Sequence, residues 1–142
     1  AVCDIVVAAE GVNFCLSEAK LGLLPATIGP YVIKALGERA AQRYFTTAER
    51  FSATEAHRLG FVHEVCAAEA IDETVQVLVA ALVANGPAAV KACKRLVQDL
   101  ASRPLTGELR ADTARRIADI RASAEGREGV QSFLNKRPPA WI

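Results

Sequence analysis

Methionine is absent from all 142 residues, and no two of the four cysteines form a CxxC pair. Cys3, Cys15, Cys66 and Cys93 are widely spaced, with no histidine cluster beside them. That argues against a metal or disulfide framework and predicts four reduced thiols packed as small hydrophobes in a reducing, cytoplasmic compartment. An excess of either charge is also missing. Seventeen Lys and Arg face 16 Asp and Glu, for a net charge of +1. The chain therefore gives no electrostatic reason to expect nucleic acid or an anionic membrane as its main partner, and RNA binding is disfavoured on the same ground. No apolar run reaches about 18 residues, so no membrane span is expected. No signal peptide, low-complexity tract or internal repeat is visible, which argues against disorder.

The remaining composition is that of one folded domain with a real core, 51% hydrophobic and 23% charged. Ala1-Val2-Cys3-Asp4 opens directly into an apolar run without a turn, cap or polar lead-in. A strand needs a partner for its backbone groups, so the chain is expected to be the back part of a longer one. Val2 to Ala9 reads as a strand covered on both faces, Glu10-Gly11 as a turn and Val12 to Leu16 as a second strand. A two-proline loop from Pro25 to Pro30 leads to a helix over 31–36, stopped by Gly37, and a second over about 38–46. Ser52-Ala53-Thr54-Glu55 matches the S-x-x-E capping box and predicts a helix ending at Gly60, followed by a strand over 61–66.

From Ala67 onward the pattern is helical. Ile71, Val75, Leu78, Val79 and Leu82 share one face, and Asn85-Gly86-Pro87 ends that helix. Val90, Cys93, Leu96, Val97 and Leu100 mark the next stripe. A third segment carries Leu105, Leu109, Ile117 and Ile120, with nearly balanced charges between Arg110 and Arg121 that suit a solvated or subunit-facing helix. A last helix is expected over about 125–135, before Pro138-Pro139. The chain thus divides at Cys66: residues 1–66 carry strands and chemistry, and residues 67–142 form a helical region that needs another surface to cover.

The chemistry centres on Glu18. It is the one acid in the stretch from Val12 to Leu16 and on through Leu21-Gly22-Leu23-Leu24-Pro25. A carboxylate among apolar neighbours is poorly solvated, which favours its protonated form and suits it to proton transfer. His57 and His63 read as a surface helix residue and a strand-edge residue rather than as catalysts. Tyr44 and Phe45 read as core, and Trp141 as a packing anchor.

Three separated stretches carry a resemblance in the same order. Cys3-Asp4-Ile5 is similar to a CDI strand, and Ser17-Glu18 falls where a PE dipeptide is usual, with Gly22 and Pro25 beyond it at matching spacing. Glu125-Gly126-Arg127-Glu128-Gly129-Val130-Gln131-Ser132-Phe133 with Lys136-Arg137-Pro138 is similar to an EGxxAF…KR ending. Together they resemble the back half of the enoyl-CoA hydratase/isomerase (crotonase) family. Pro25-Ala26-Thr27-Ile28-Gly29 replaces the usual PGAGG turn, and Ser17 the frequent proline. Leu24 to Val32 and Arg43 to Phe51 look like the branch that contains methylglutaconyl-CoA hydratases.

The resemblance implies an α/β fold, the C-terminal part of a crotonase ββα spiral followed by a helical trimerisation region. It implies hydration of a 2-enoyl-CoA, branched by the sub-assignment, without a cofactor beyond the coenzyme A of the substrate. Glu18 would protonate C2 or, in reverse, remove that proton. The backbone N–H of Ala26 would meet water or substrate, Ile117 would lie near the adenine, and Lys136 would approach the nucleotide phosphate. Fixed N–H dipoles would stabilise the enolate oxygen. The oxyanion glycines and any first glutamate fall upstream in the family, so this chain is expected to be inactive alone. Homotrimers or hexamers would form through the C-terminal helices. Two alternatives remain: an enoyl-CoA isomerase of the same family, or a non-catalytic, self-associating helical module.

Overall fold

The computed structural model describes residues 1–142, with four short strands and seven α-helices. The strands are β1 (Val7–Ala9), β2 (Asn13–Phe14), β3 (Phe51–Ser52) and β4 (Glu64–Cys66). The helices are α1 (Gly29–Leu36), α2 (Glu38–Thr47), α3 (Ala53–Arg58), α4 (Ile71–Val83), α5 (Pro87–Leu100), α6 (Gly107–Ala122) and α7 (Ala124–Leu134). The fold is mixed α/β, as expected. Two compact units divide the chain, Ala1–Val77 and Leu78–Ile142, so the boundary falls inside α4. No single helix is long and apolar enough to cross a membrane.

In the first unit β1 pairs with β4 in parallel, Val7 opposite Glu64 and Ala9 opposite Cys66. The ladder is much shorter than the apolar run suggested. Val2 is 75% exposed, and the ladder itself takes in only Val7 to Ala9. Pairing begins at Val6, whose carbonyl accepts from the N–H groups of His63 (2.9 Å) and Glu64 (3.2 Å). Its own N–H donates to His63 Nδ1 at 3.1 Å. His63 therefore closes the open end of the ladder, and Phe61 to His63 belong to the approach rather than to the strand.

β2 and β3 form a second, antiparallel pair with Phe14 opposite Phe51. These two rings stack at 5.5 Å, Phe61 meets Phe14 edge-on at 5.4 Å, and Tyr44 packs on Phe51 at 4.2 Å. Around them Val32, Leu36, Ala53, Ala56 and Val62 complete one buried cluster. Burying each large aliphatic side chain there stabilises the unit by about 1.5–3 kcal/mol. Ala53 and Ala56, on the inner face of α3, are fully buried in this cluster. Ser52 Oγ accepts the Glu55 N–H at 3.1 Å, so half of the expected capping box forms. The other half does not, because the Glu55 carboxylate turns to Arg58 (2.6 and 2.7 Å) and to the Tyr44 hydroxyl (3.1 Å). The cysteines also depart from expectation: all four are free, but Cys3 and Cys93 are exposed, and only Cys15 and Cys66 are half-buried. Cys3 lies outside the ladder, and Cys93 sits on an uncovered face of α5.

The second unit is joined by hydroxyl caps, a glutamate that reaches backbone and an arginine bridge. Thr106 Oγ1 caps α6 by accepting the Leu109 N–H at 3.1 Å, and Ser123 Oγ caps α7 by accepting that of Gly126 at 3.0 Å. Glu125 caps a helix that is not its own. Its carboxylate accepts the N–H groups of Ala88 (3.0 Å) and Ala89 (2.8 Å), at the positive end of α5 just after Pro87. Arg116 bridges α5 and α6, with Nη1 on Asp99 at 2.6 Å and Nε on Asp112 at 2.7 Å. The tight turn between α6 and α7 requires glycine at position 126, because an added Cβ would overlap the Ile120 carbonyl oxygen.

Two outcomes follow from these contacts. The Arg58 guanidinium, helped by the Tyr44 hydroxyl, holds the Glu55 carboxyl at about 2 against an ordinary 4.5. A lowered folded-state value stabilises the fold above about pH 4.5, and that stabilisation disappears as pH falls towards 2. Glu55→Gln should therefore lower the melting midpoint at pH 7, and the gap to wild type should narrow as the pH is taken from 5 to about 2.5. Gly126→Ala should destabilise by about 1–3 kcal/mol in urea unfolding, as overpacking does. Gly107→Ala is the control, since open space surrounds Gly107 and its midpoint should hold or rise.

Candidate active site

Glu18 follows directly from the β2 strand. Leu16 is buried, Ser17 is exposed, and the chain then turns into a 3-10 helix over Glu18–Leu21. Gly22 ends the turn at φ 69°, a left-handed conformation that glycine adopts without strain. Its N–H donates to Ala19 O at 3.2 Å, and Leu23 N–H donates to Glu18 O at 3.0 Å. The backbone of Glu18 is thus tied on the carbonyl side, and α2 packs beside the turn.

The side chain is in the opposite condition. Glu18 Oε2 is buried and has no hydrogen-bond partner, and no other buried side-chain oxygen or nitrogen in the molecule is in this state. Leaving such a group unpaired costs about 1–3 kcal/mol, more where it carries charge. Buried polar groups are nearly always paired, so a single exception on an acid makes Glu18 the candidate for chemistry in this unit.

Ala26 stands in the exposed loop that follows. Its N–H was expected to meet a ligand. In the structure it donates to Leu24 O at 2.8 Å, closing a tight turn around Pro25. The fixed φ of proline suits the centre of such a turn, so a ligand at Ala26 would compete with Leu24 for this donor. The next two N–H groups, of Thr27 and Ile28, donate to no backbone carbonyl. Sequence reading missed them, because only the γ-turn at Pro25 shifts the free donors forward. An apolar cavity of about 310 Å³ adjoins both segments, lined by Phe14, Leu16, Ile28, Val32, Leu36 and Phe51. Leu16 comes two residues before Glu18, and Ile28 two after Ala26. Tyr44 is not part of that lining. It is 2% exposed and donates to Glu55, a core role as read, and burial pushes its hydroxyl up, which keeps it a donor.

The other two candidate residues lie in the second unit. Ile117 is 64% exposed on α6. It lines an apolar groove of about 560 Å³ between α5 and α6, with Ala92, Cys93, Leu96, Thr113 and Ile120. Arg116 borders it, held by Asp99 and Asp112, and in turn keeps the Asp99 carboxyl below its usual range. Lys136 is outside that groove, in the turn that follows α7, with its side chain exposed. Sequence reading also missed the tasks of Glu125 and Glu128. Their i,i+3 spacing on α7 puts both carboxylates on one side of the helix, and that spacing was the available signal.

The family model for enoyl-CoA hydratase/isomerase matches residues 1–142. A carnitinyl-CoA dehydratase of Salmonella typhi is 31% identical over 142 residues, covering 97% of this chain and 54% of that protein. The crystal structure of an enoyl-CoA hydratase from Shewanella pealeana superposes with a TM-score of 0.90 at 43% identity, over 97% of this chain and 51% of the other. Pseudomonas aeruginosa AtuE superposes with a TM-score of 0.91 at 40% identity, over 99% and 54% respectively. The chain spans about half the length of the relatives it matches. With a match over its full length and a shared fold, the chain belongs to the enoyl-CoA hydratase/isomerase family.

Proposed function

We propose that this chain carries the proton-transfer half of a hydratase that adds water across the C2=C3 bond of a 2-enoyl-CoA. The observation that carries the reading is the buried, unpartnered Oε2 of Glu18. In the forward direction a water oxygen bonds to C3 and gives up one proton to a base. The π electrons move towards the thioester oxygen, and the resulting enolate takes a proton at C2 from the Glu18 carboxyl. In the reverse direction the Glu18 carboxylate removes that proton and the C3 hydroxyl leaves as water, the direction that the name of the Salmonella dehydratase describes. No metal is needed for this sequence, and the coenzyme A belongs to the substrate.

The N–H groups of Thr27 and Ile28, with Ala26 where it releases Leu24, are suited to a water or thioester oxygen, since the backbone rather than the side chain is the donor. The apolar cavity beside them favours an acyl chain without charge near its reacting end. The resemblance of Leu24 to Val32 to the methylglutaconyl-CoA hydratase branch supports a branched acyl group. On the second unit, the groove at Ile117 offers an apolar wall to the adenine, and the free ammonium of Lys136 offers charge to the nucleotide phosphate. Phe133 and Leu134, 82% and 65% exposed on α7, supply apolar surface for a homotrimer or hexamer. The free thiols suit a cytoplasmic setting. The family's other catalytic groups belong to the portion that this chain does not match, so activity is expected of the full-length protein and not of these residues alone.

Glu18→Gln in the full-length protein should lower kcat for hydration of a branched 2-enoyl-CoA by about 10²–10⁴, with binding little changed, measured by loss of the enoyl absorbance. Glu18→Leu should be as inactive yet melt no lower than wild type, because it removes a buried acid that has no partner. An undiminished rate in Glu18→Gln would sink the assignment. A large fall in the melting midpoint of Glu18→Leu would make the carboxylate structural.

A further inference from the structure

Val6 is held twice by one residue. Its carbonyl accepts from the backbone N–H of His63 at 2.9 Å, and its own N–H donates to His63 Nδ1 at 3.1 Å. In a longer ladder that N–H would meet a carbonyl of the facing strand. The chain from Phe61 to His63 instead arrives from the end of α3, where the N–H groups of Phe61 and Val62 both donate to Ala56 O. The imidazole takes the place of the missing strand carbonyl. A neutral imidazole has one donor and one acceptor nitrogen, so an acceptor at Nδ1 assigns the ring proton to Nε2.

This grip has a chemical condition that a carbonyl would not impose. A carbonyl accepts at any pH, whereas both nitrogens of a protonated imidazole are donors. A charged His63 sets N–H against N–H, and the Val6 amide loses its acceptor. Histidine ordinarily changes charge between pH 5 and 8, and the His63 side chain is exposed to the water that supplies the proton. The neighbouring histidine follows the opposite rule. His57 Nδ1 lies 3.2 Å from Val62 O, which can only accept, so His57 is the donor there and remains one when protonated.

The other charged groups on the elements around β4 are Glu64 within it, Asp4 and Glu10 to either side of β1, and Glu55 and Arg58 on α3. Glu55 and Arg58 hold each other at 2.6 and 2.7 Å. These charges set the pH at which the His63 ring takes its proton, and they leave unchanged what that proton does to Val6. The Val6 carbonyl keeps both of its backbone donors, from His63 and Glu64, in either state of the ring. We infer that His63 is a proton-sensitive latch at the entry to β1. Neutral, it fastens the Val6 amide. Protonated, it releases that amide and loosens the backbone ahead of it, while the β1–β4 ladder stays paired. The inference stands on the polarity of one hydrogen bond and is independent of the acyl-CoA reading above.

The test is amide hydrogen exchange on the full-length protein at pH 8 and pH 5, resolved to single residues by fragmentation in the mass spectrometer and corrected for the intrinsic rate at each pH. The Glu10 N–H, which donates to Cys66 O at 2.9 Å at the far end of the ladder, is the internal reference. In wild type the Val6 amide should lose about tenfold of its protection between pH 8 and pH 5, the scale of one hydrogen bond, with Glu10 unchanged. His63→Asn offers an amide oxygen that does not titrate, so Val6 should stay protected at both values. His63→Leu should leave it unprotected at both, and His57→Gln should behave as wild type. Equal protection of Val6 in wild type at the two values overturns the latch. So does a pH dependence that survives in His63→Asn, or a Val6 in His63→Leu as protected as wild type at pH 8. Loss of protection at Glu10 together with Val6 would make the event an unfolding of the ladder, and the local latch would fall with it.

Discussion

The stacking of Phe14 on Phe51, 5.5 Å between centroids, holds together two strands of two residues each. So short a ladder has too few hydrogen bonds to persist by itself. The rings, backed by Tyr44 and Phe61, supply the burial that the ladder lacks. What depends on them is the exit direction of β2, because Leu16, Ser17 and Glu18 leave the strand within four residues of Phe14. The acid is placed by the aromatic cluster that anchors β2, and its own backbone is then turned by the 3-10 helix and Gly22. Positioning through packing and chemistry through an unpaired group are separated along a few residues of chain.

Helices were legible where their punctuation was local. Gly37, the Asn85-Gly86-Pro87 stop and the capping serine at position 52 all act within a few residues of themselves, and the helices begin and end close to where those signals put them. Strand length was not legible. The run from Val2 to Ala9 has the composition of a buried strand, but a strand is defined by its partner, and β4 offers only three residues after His63 closes the end. Composition reports what a segment could pair with and carries no record of what pairs with it.

For the candidate site the division is similar. Glu18 was legible because one acid in an apolar stretch is a local anomaly, and the structure adds that one of its oxygens is buried and unpaired. The state of Ala26 was not legible, since its N–H is engaged by the carbonyl of Leu24 through a turn that only the conformation of Pro25 creates. The glutamates of α7 were visible as a motif but not as interactions. Glu125 reaches back 36 and 37 residues to the start of α5, and Glu128 forward to Arg137 and Ala140. A signature that reads as one continuous string is, in space, a set of separate fastenings on one helix.

Ser52 closes the β3 strand and, with no residue between, caps α3. Its backbone belongs to a ladder that also contains Phe51, while its hydroxyl belongs to a helix that buries Ala53 and Ala56 completely. Strand periodicity is two and helix periodicity 3.6, so the two registers can agree at this junction only if the count of residues is unchanged. One inserted residue would turn the Phe51 ring to the opposite face or move the cap off the helix. A chain whose later helices are largely exposed is, at this point, intolerant of any change in length.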